Sequence, residues 1–407
     1  MLTPPIYKDA VMGKKLSTIE FIILIAFLFS LIAYTTDAML PAFEEIASDL
    51  QTANVSRVQL IIATFFLGTG IGQILAGPLS DTLGRKPVIL GGIAIFIAAS
   101  IWAWATSTIE WLLVARFVQG LGISAPRTVG LALVRDIYSG REMARVVSLA
   151  MMLFVLVPGV APFFGQMIMF NFGWRAIFLS CVILGLLVGL WLWLRQEETL
   201  SLERRTPFRW MMLVDGWNEM RKSRRTMMSI LILCFAYSLI FAYLSSAQQV
   251  FVDWLGVGEA FPMYFGIIAI LSGFAGALNA LLVVRLGMWL LSSAGLLIIF
   301  VLSMLAGGAI WAGLLEGAIL LKVFLAWSIM MFFVSGLVFT NLNAMAIEPM
   351  GHIAGTASAI IGAVSTIGSM VLVIPIGQMY NGTGIPLIFG VGICAGIGFL
   401  LNQWNTR

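Results

Sequence analysis

Charge is what this chain of 407 residues has least of: Asp, Glu, Lys and Arg make up 10% of it, against about a quarter of a soluble domain. Hydrophobic residues make up 60%, which points to a polytopic membrane protein and sets aside the usual arithmetic of domain number from length. Histidine is nearly absent as well. The one copy, His352, precedes an apolar run with no cysteine or carboxylate cluster around it, so neither a metal site nor a Ser/His/Asp arrangement can be assembled; a polar helix-start residue is the plain reading. Cys181, Cys234 and Cys394 lie singly inside apolar stretches without C-x-x-C spacing and read as small buried hydrophobes. No G-x-x-x-x-G-K-[ST] occurs, so no ATP-driven motor is visible. These absences leave no cofactor or metal to expect, no nucleic-acid partner, and little ground for an enzyme.

What the chain does have is long apolar runs. A helix rises about 1.5 Å per residue, so about 20 apolar residues cross the hydrocarbon core. By that ruler there are twelve candidate spans, starting near Phe21, Val58, Pro87, Trp111, Ala144, Ile177, Met227, Pro262, Trp289, Gly317, Ala354 and Pro386. The first follows Lys14 and Lys15 like a signal peptide, but it runs past Asp37 and Pro41 without a small-x-small cleavage site and is expected to stay.

Basic residues then set sidedness. With the N-terminus inside, 18 of the 23 Lys and Arg fall in cytoplasmic segments, from Lys8 to Arg407, and only Arg57 and Arg175 fall outside. Arg116, Arg127 and Lys322 lie within spans. Both termini are expected in the cytoplasm.

The one long connection, Arg195 to Arg225, divides the chain into a first half of residues 1–194, a basic linker of 195–225 and a second half of 226–407. Within it, "PFRWMMLVDGWNEMRKSRR" mixes Phe208, Trp210, Met211, Val214 and Trp217 with cations. Two readings fit: a helix lying on the inner leaflet, or a linker kept inside by its charge. Two six-span halves suggest the internal repeat of secondary transporters, with the substrate site near the midplane between them.

Three arginines stand in the fourth apolar stretch, where each costs about 2.5–3.5 kcal/mol at the bilayer centre. Arg135 sits beside Asp136 at the exit and reads as an interfacial anchor. Arg116 lies about one and a half turns below the outer surface, and Asp37 about 16 residues into span one, so both fall in the outer half of the core. An intramembrane carboxylate is a functional candidate whose partner should be named; the expected partner of Asp37 is Arg116. If conformation changes their distance or wetting, Asp37 takes up a proton in one state and gives it up in another. A fixed ion pair, or an Arg116 bonded to backbone carbonyls, is the structural alternative.

Arg127 follows Arg116 by eleven residues, close to three turns, so both point the same way. As a cavity residue it would grip a carboxylate or phosphate; near the inner leaflet it could instead snorkel. Pro126 just before it loosens the helix. Lys322, near the outer end of span ten, reads as snorkelling. Tyr34, one turn before Asp37, flanks it. Tyr237, Ser245, Gln248 and Gln249 are polar candidates in span seven, Ser245 and Gln249 sharing a face.

Between spans two and three lies "GQILAGPLSDTLGRKPVILGG": Gly77 and Pro78 break the end of span two, and Asp81, Arg85 and Lys86, with Gly84 among them, sit in a very short turn, a charge clamp whose state depends on helix packing. This stretch resembles the loop 2–3 signature of the major facilitator superfamily. "RFVQGLG", Arg116 to Gly122 with Gln119 inside it, resembles the span-four motif. "VPGVAPFFGQ", with Pro158, Gly159, Pro162 and Gly165, is similar to a loose form of the span-five motif of proton-driven exporters. "DAMLPAF" and "EPMGHIAGTASAIIGAVST" resemble the drug:proton antiporter branch, Bcr/CflA-type multidrug exporters.

The resemblance implies an all-α fold of twelve helices in two six-helix bundles. It implies a proton-coupled, alternating-access exporter of small amphipathic drugs in the bacterial inner membrane, a monomer conferring antibiotic resistance. On it, Asp37 and Arg116 couple protons; Arg127, Tyr34, Gln119, Tyr237, Ser245 and Gln249 bind substrate; Gly77, Asp81, Gly84, Arg85, Lys86, Pro158, Gly159, Pro162 and Gly165 gate. A dedicated carrier of an anionic metabolite using Arg127, or a non-transporting sensor, are the alternatives.

Overall fold

The computed structural model describes residues 16–52 and 55–405; Lys8, Lys14, Lys15 and Arg407, which carry part of the sidedness argument, lie outside them. In hydrocarbon every backbone N–H and C=O must be satisfied within its own segment, and the chain meets that demand with helices. In order they are α1 (Thr18–Asp37), α2 (Phe43–Asp49), α3 (Leu60–Leu83), α4 (Arg85–Ala105), α5 (Ile109–Ile137), α6 (Gly140–Phe172), α7 (Arg175–Arg195), α8 (Trp210–Lys222), α9 (Arg224–Gln249), α10 (Phe261–Ser272), α11 (Ala275–Leu286), α12 (Met288–Trp311), α13 (Gly317–Ile347), α14 (Ala354–Gln378) and α15 (Ile385–Trp404).

Local chemistry sets several ends. Ser17 Oγ accepts from Glu20 N at 3.1 Å and Ser223 Oγ from Thr226 N at 3.2 Å, capping α1 and α9. Gly84, at φ +107°, joins α3 to α4 without a loop.

Eleven helical runs among the described residues are long and apolar enough to cross a membrane. One of them, Gly317–Gln378, is 62 residues long and is interrupted by the tighter segment Glu348–Ile353, where Met350 leaves helical geometry. The run from Gly258 to Leu286 is broken in the middle, between α10 and α11. α2 was not expected: it is a short amphipathic return after the Pro41 corner, with Phe43, Ile46 and Ala47 buried.

Helix α5 is packed on α3 and α4, α4 on α7, and α1 on α6. Similarly α12 meets α13 and α15, and α9 meets α13, α14 and α15. The earlier helices meet the later ones chiefly through α3 with α14 and α6 with α10, and α3 and α2 also touch α9. Small residues bring these backbones together. A Cβ at Gly120 of α5 would stand 2.0 Å from the Phe65 carbonyl oxygen of α3, and one at Gly68 of α3 would stand 2.0 Å from that of Phe117.

Candidate functional site

The α1 end is where buried polarity concentrates. Thr35 Oγ1 donates to Leu31 O at 2.6 Å, and Thr36 Oγ1 donates to Ile32 O and Ala33 O. Such back-bonding loosens a helix, and Pro41 prevents its continuation. Asp37 is the last residue before the corner. It is 4% exposed, the one buried acidic residue among those described. Gly165 of α6 backs directly onto this corner: a Cβ there would lie 1.9 Å from Ala38 O. Gly165 of the span-five motif thus meets the backbone of the corner that follows Asp37.

Arg116 is fully buried on α5. Its Nη1 donates to Gln119 Oε1 at 2.6 Å and to Thr35 O at 3.3 Å, its Nε reaches Ile61 O at 3.5 Å, and the guanidinium lies 4.4 Å over the Phe65 ring. Gln119 passes the network on by donating to Ser100 Oγ of α4 at 2.7 Å. The expected direct pair with Asp37 is not among the ion pairs of the described residues. Arg116 takes carbonyl and amide acceptors instead, the arrangement given above as the structural alternative. It stops two residues short of Asp37, at Thr35 O, and its Nη2 has no hydrogen-bond partner among the described residues. Arg116 is thus a buried cation with a donor to spare, and Asp37 a buried acid outside every ion pair of the described residues.

The substrate candidates do not form one cluster. Arg127 is exposed although Arg116, on the same side of α5, is not. Tyr34 is half-buried and turned toward α7, its hydroxyl sharing a 2.7 Å hydrogen bond with Ser180 Oγ. Gln119 is committed to Arg116. The Tyr237 hydroxyl accepts from Asn343 Nδ2 of α13 at 3.2 Å, and its ring neighbours Phe241 and Phe339. Phe241 in turn stacks on Phe66 of α3 at 4.0 Å.

Ser245, Gln248 and Gln249 are buried. Gln249 Oε1 accepts from Nε2 of Gln59, the residue just before α3, and Tyr380 OH donates to Gln249 O at 3.2 Å. Ser245 and Gln59 line a slot of only about 10 Å³ with Gly377 and Gln378. This end is shut. Lys322 is exposed on the α13 stripe that also shows Ile319 and Met330.

At the opposite, basic end the loop 2–3 residues form a clamp. Arg85 Nη1 donates to Asp81 Oδ1 at 2.5 Å and to Ser80 Oγ at 2.7 Å, and its Nε to Asp136 Oδ2 of α5 at 3.1 Å. Glu198, after α7, caps α4: its Oε1 accepts from Arg85 N and its Oε2 from Lys86 N, both at 3.0 Å. Lys86 Nζ donates to Trp193 O at 2.7 Å. A side chain at Gly84 would collide with Glu198 Oε2, 2.5 Å away. Gly77 faces open space. Pro158 and Pro162 lie inside α6, and Gly159 packs on Gly266 of α10, where a Cβ on Gly266 would stand 2.8 Å from Gly159 O.

Sequence reasoning missed Gln59, Ser100 and Glu198. Gln59 and Ser100 are single polar residues in apolar runs, a weak but present signal. Glu198 sits among other charges, and nothing in its neighbours marks it as a cap.

Residues 22–373 match the family described as Major Facilitator Superfamily. The chain is 33% identical over 388 residues to the "Uncharacterized MFS-type transporter YdgK" of Bacillus subtilis, covering 92% of this chain and 94% of that protein. It is 29% identical over 399 residues to the "Bicyclomycin resistance protein homolog" of Haemophilus influenzae, covering 97% and 98%. It is 26% identical over 364 residues to "Multidrug resistance protein D" of Escherichia coli, covering 88% and 89%. Among solved structures, a partially occluded inward-open xylose transporter XylE of E. coli superposes with a TM-score of 0.74 at 14% identity, over 95% of this chain and 97% of that one. At that identity the likeness speaks for the fold.

Proposed function

The chain belongs to the Major Facilitator Superfamily, a transporter and not an enzyme, and from that membership we propose that it exports small amphipathic compounds, drugs among them, in exchange for protons. The names of its relatives, resistance proteins for bicyclomycin and for multiple drugs, support efflux. They do not favour the dedicated anion carrier. Counted on either side of Glu348–Ile353, the long run becomes two spans and the total becomes twelve. They divide as residues 1–194 and 226–407, six spans each, joined by 195–225. The excess of basic residues assigns the Arg85 end and both termini to the cytoplasm of a bacterial inner membrane, and a single copy suffices for transport.

The observation that carries proton coupling is the Asp37 corner: a buried carboxylate at a helix break, backed by Gly165 and approached by Arg116. Burial without a cation favours the neutral acid. Opening the corner to water, or moving Arg116 Nη2 onto it, favours the carboxylate and releases the proton. The end closed by Gln59 and Gln249 is then the periplasmic one, and Arg127 is reached from the cytoplasm.

Proton-linked flux in proteoliposomes, with a pH dye inside and an imposed gradient, tests this. Many lipophilic compounds should trigger proton movement in the wild type. Asp37→Asn should lose it by a hundredfold or so, about the range of one removed proton-transfer group. Full proton-linked flux in Asp37→Asn would sink the assignment. Arg127→Ala should weaken transport of anionic compounds most.

A further inference from the structure

The amphipathic linker helix has a role that transport itself does not explain. We infer that α8 is a docking site for anionic phospholipid headgroups and that this docking steadies the adjoining end of α14. The inference rests on the membrane placement of the long helices, not on what they carry.

The depth of α8 follows from its anchors. Leu213, Gly216 and Met220 are buried, and Gly216 lies so close to α14 that a Cβ would stand 2.9 Å from Thr356 Cγ2. Glu219 pairs with His352. Just beyond the helix, Arg225 Nη2 meets Glu348 Oε2 at 2.9 Å, and Arg224 Nη2 donates to Trp404 O at 3.5 Å. Each of these partners sits at the end of α13, α14 or α15. α8 is therefore held at the rim, where hydrocarbon gives way to headgroups.

The side of α8 next to the buried one carries the signal. Trp210, Val214, Trp217 and Arg221 recur at i, i+4, i+7 and i+11 and form one stripe. Trp210 is 54% exposed, and Phe208 and Met211 beside it are exposed too. Arg221 ends this stripe and Arg209 stands at its start, both exposed; Lys222, also exposed, follows Asp215 by seven residues and shares its side, with Glu219 beyond. Indole at a rim, with cations around it, fits the interface of a bilayer whose headgroups are negative. An acidic soluble protein would not require the tryptophans to stand at headgroup depth.

The test uses hydrogen exchange on the full chain in vesicles of phosphatidylcholine with or without phosphatidylglycerol. Phosphatidylglycerol should slow exchange of residues 210–222 and of the first turns of α14. In Arg209→Gln/Arg221→Gln/Lys222→Gln that protection should fall, about fivefold for each cation removed, with the long helices other than α14 unchanged as the internal control of folding. Equal exchange of α8 in the two lipids, or protection that survives the triple substitution, would overturn the proposal. Protection of α8 without any change at α14 would overturn the coupling to α14. None of these outcomes depends on flux, so failure of the export reading would be seen separately.

Discussion

Gly165 shows how one missing methyl group can position a carboxylate. Its Cα lets the Ala38 carbonyl approach so closely that no side chain fits between them. Gly165→Ala should therefore push α6 away from the Asp37 corner and cost about 1–3 kcal/mol, the usual range for overpacking. Thermal unfolding in detergent would register the loss, and proton-linked flux should fall with it. Arg116 illustrates the converse, a residue expected inside a span with Asp37 or backbone carbonyls as partner, which here is buried and bonded to Thr35 O and Gln119. Its spacing from Trp111 gave its depth, but helix rotation about α1 decides whether its donors meet Asp37 or the Thr35 carbonyl, and no residue spacing encodes that rotation. Asp37 itself was readable because an acid in an apolar run stands out by solvation cost alone.

Among the elements, the joint between α3 and α4 has the most local chemistry. Gly84 takes a positive φ that frees two N–H groups at the start of α4, and Glu198 receives both. Glu198→Ala should cost about 1 kcal/mol, as loss of a helix N-cap does, and should loosen Arg85 from its partners. A lower unfolding temperature with Gly84 unaltered would register it; an unchanged temperature would show that Asp81 and Asp136 alone hold the joint. The glycine and the charges of this turn were evident in order and spacing. Glu198 was not, because it arrives from α7, more than a hundred residues later. The mixture of aromatic residues and cations in the linker left two readings open, an inner-leaflet helix or a basic tether, and the segment from Trp210 to Lys222 is helical.

At the scale of the whole molecule, the shut end is a contact between distant segments: Gln59 from the start of α3, Gln249 from the end of α9, and Tyr380 after α14. It is built from amides and a phenol, not from an ion pair. Burial, with Asp253 close by, pushes the Tyr380 phenol up to about 12, so it remains a donor throughout the physiological range. Closure should accordingly be indifferent to pH between about 6 and 9. Gln59→Ala/Gln249→Ala should open this end: a cysteine placed at Ser245 should react faster with a membrane-impermeant maleimide than the same cysteine in the otherwise unaltered chain. Equal labelling rates would show that the packing of Phe66 on Phe241 closes the path by itself.

The sequence by itself determined that this chain resides in a membrane, about where its long helices begin, which acid lies inside and which family motifs it carries. Those follow from the cost of taking polar groups out of water, a property of each residue and its near neighbours. Only the tertiary structure decided what Arg116 bonds to, that Gly165 meets the Asp37 corner, that Glu198 caps α4 and that Gln59 closes on Gln249. Each of these joins residues far apart in the chain, and helix rotation and close backbone approach choose among partners that local spacing leaves equivalent.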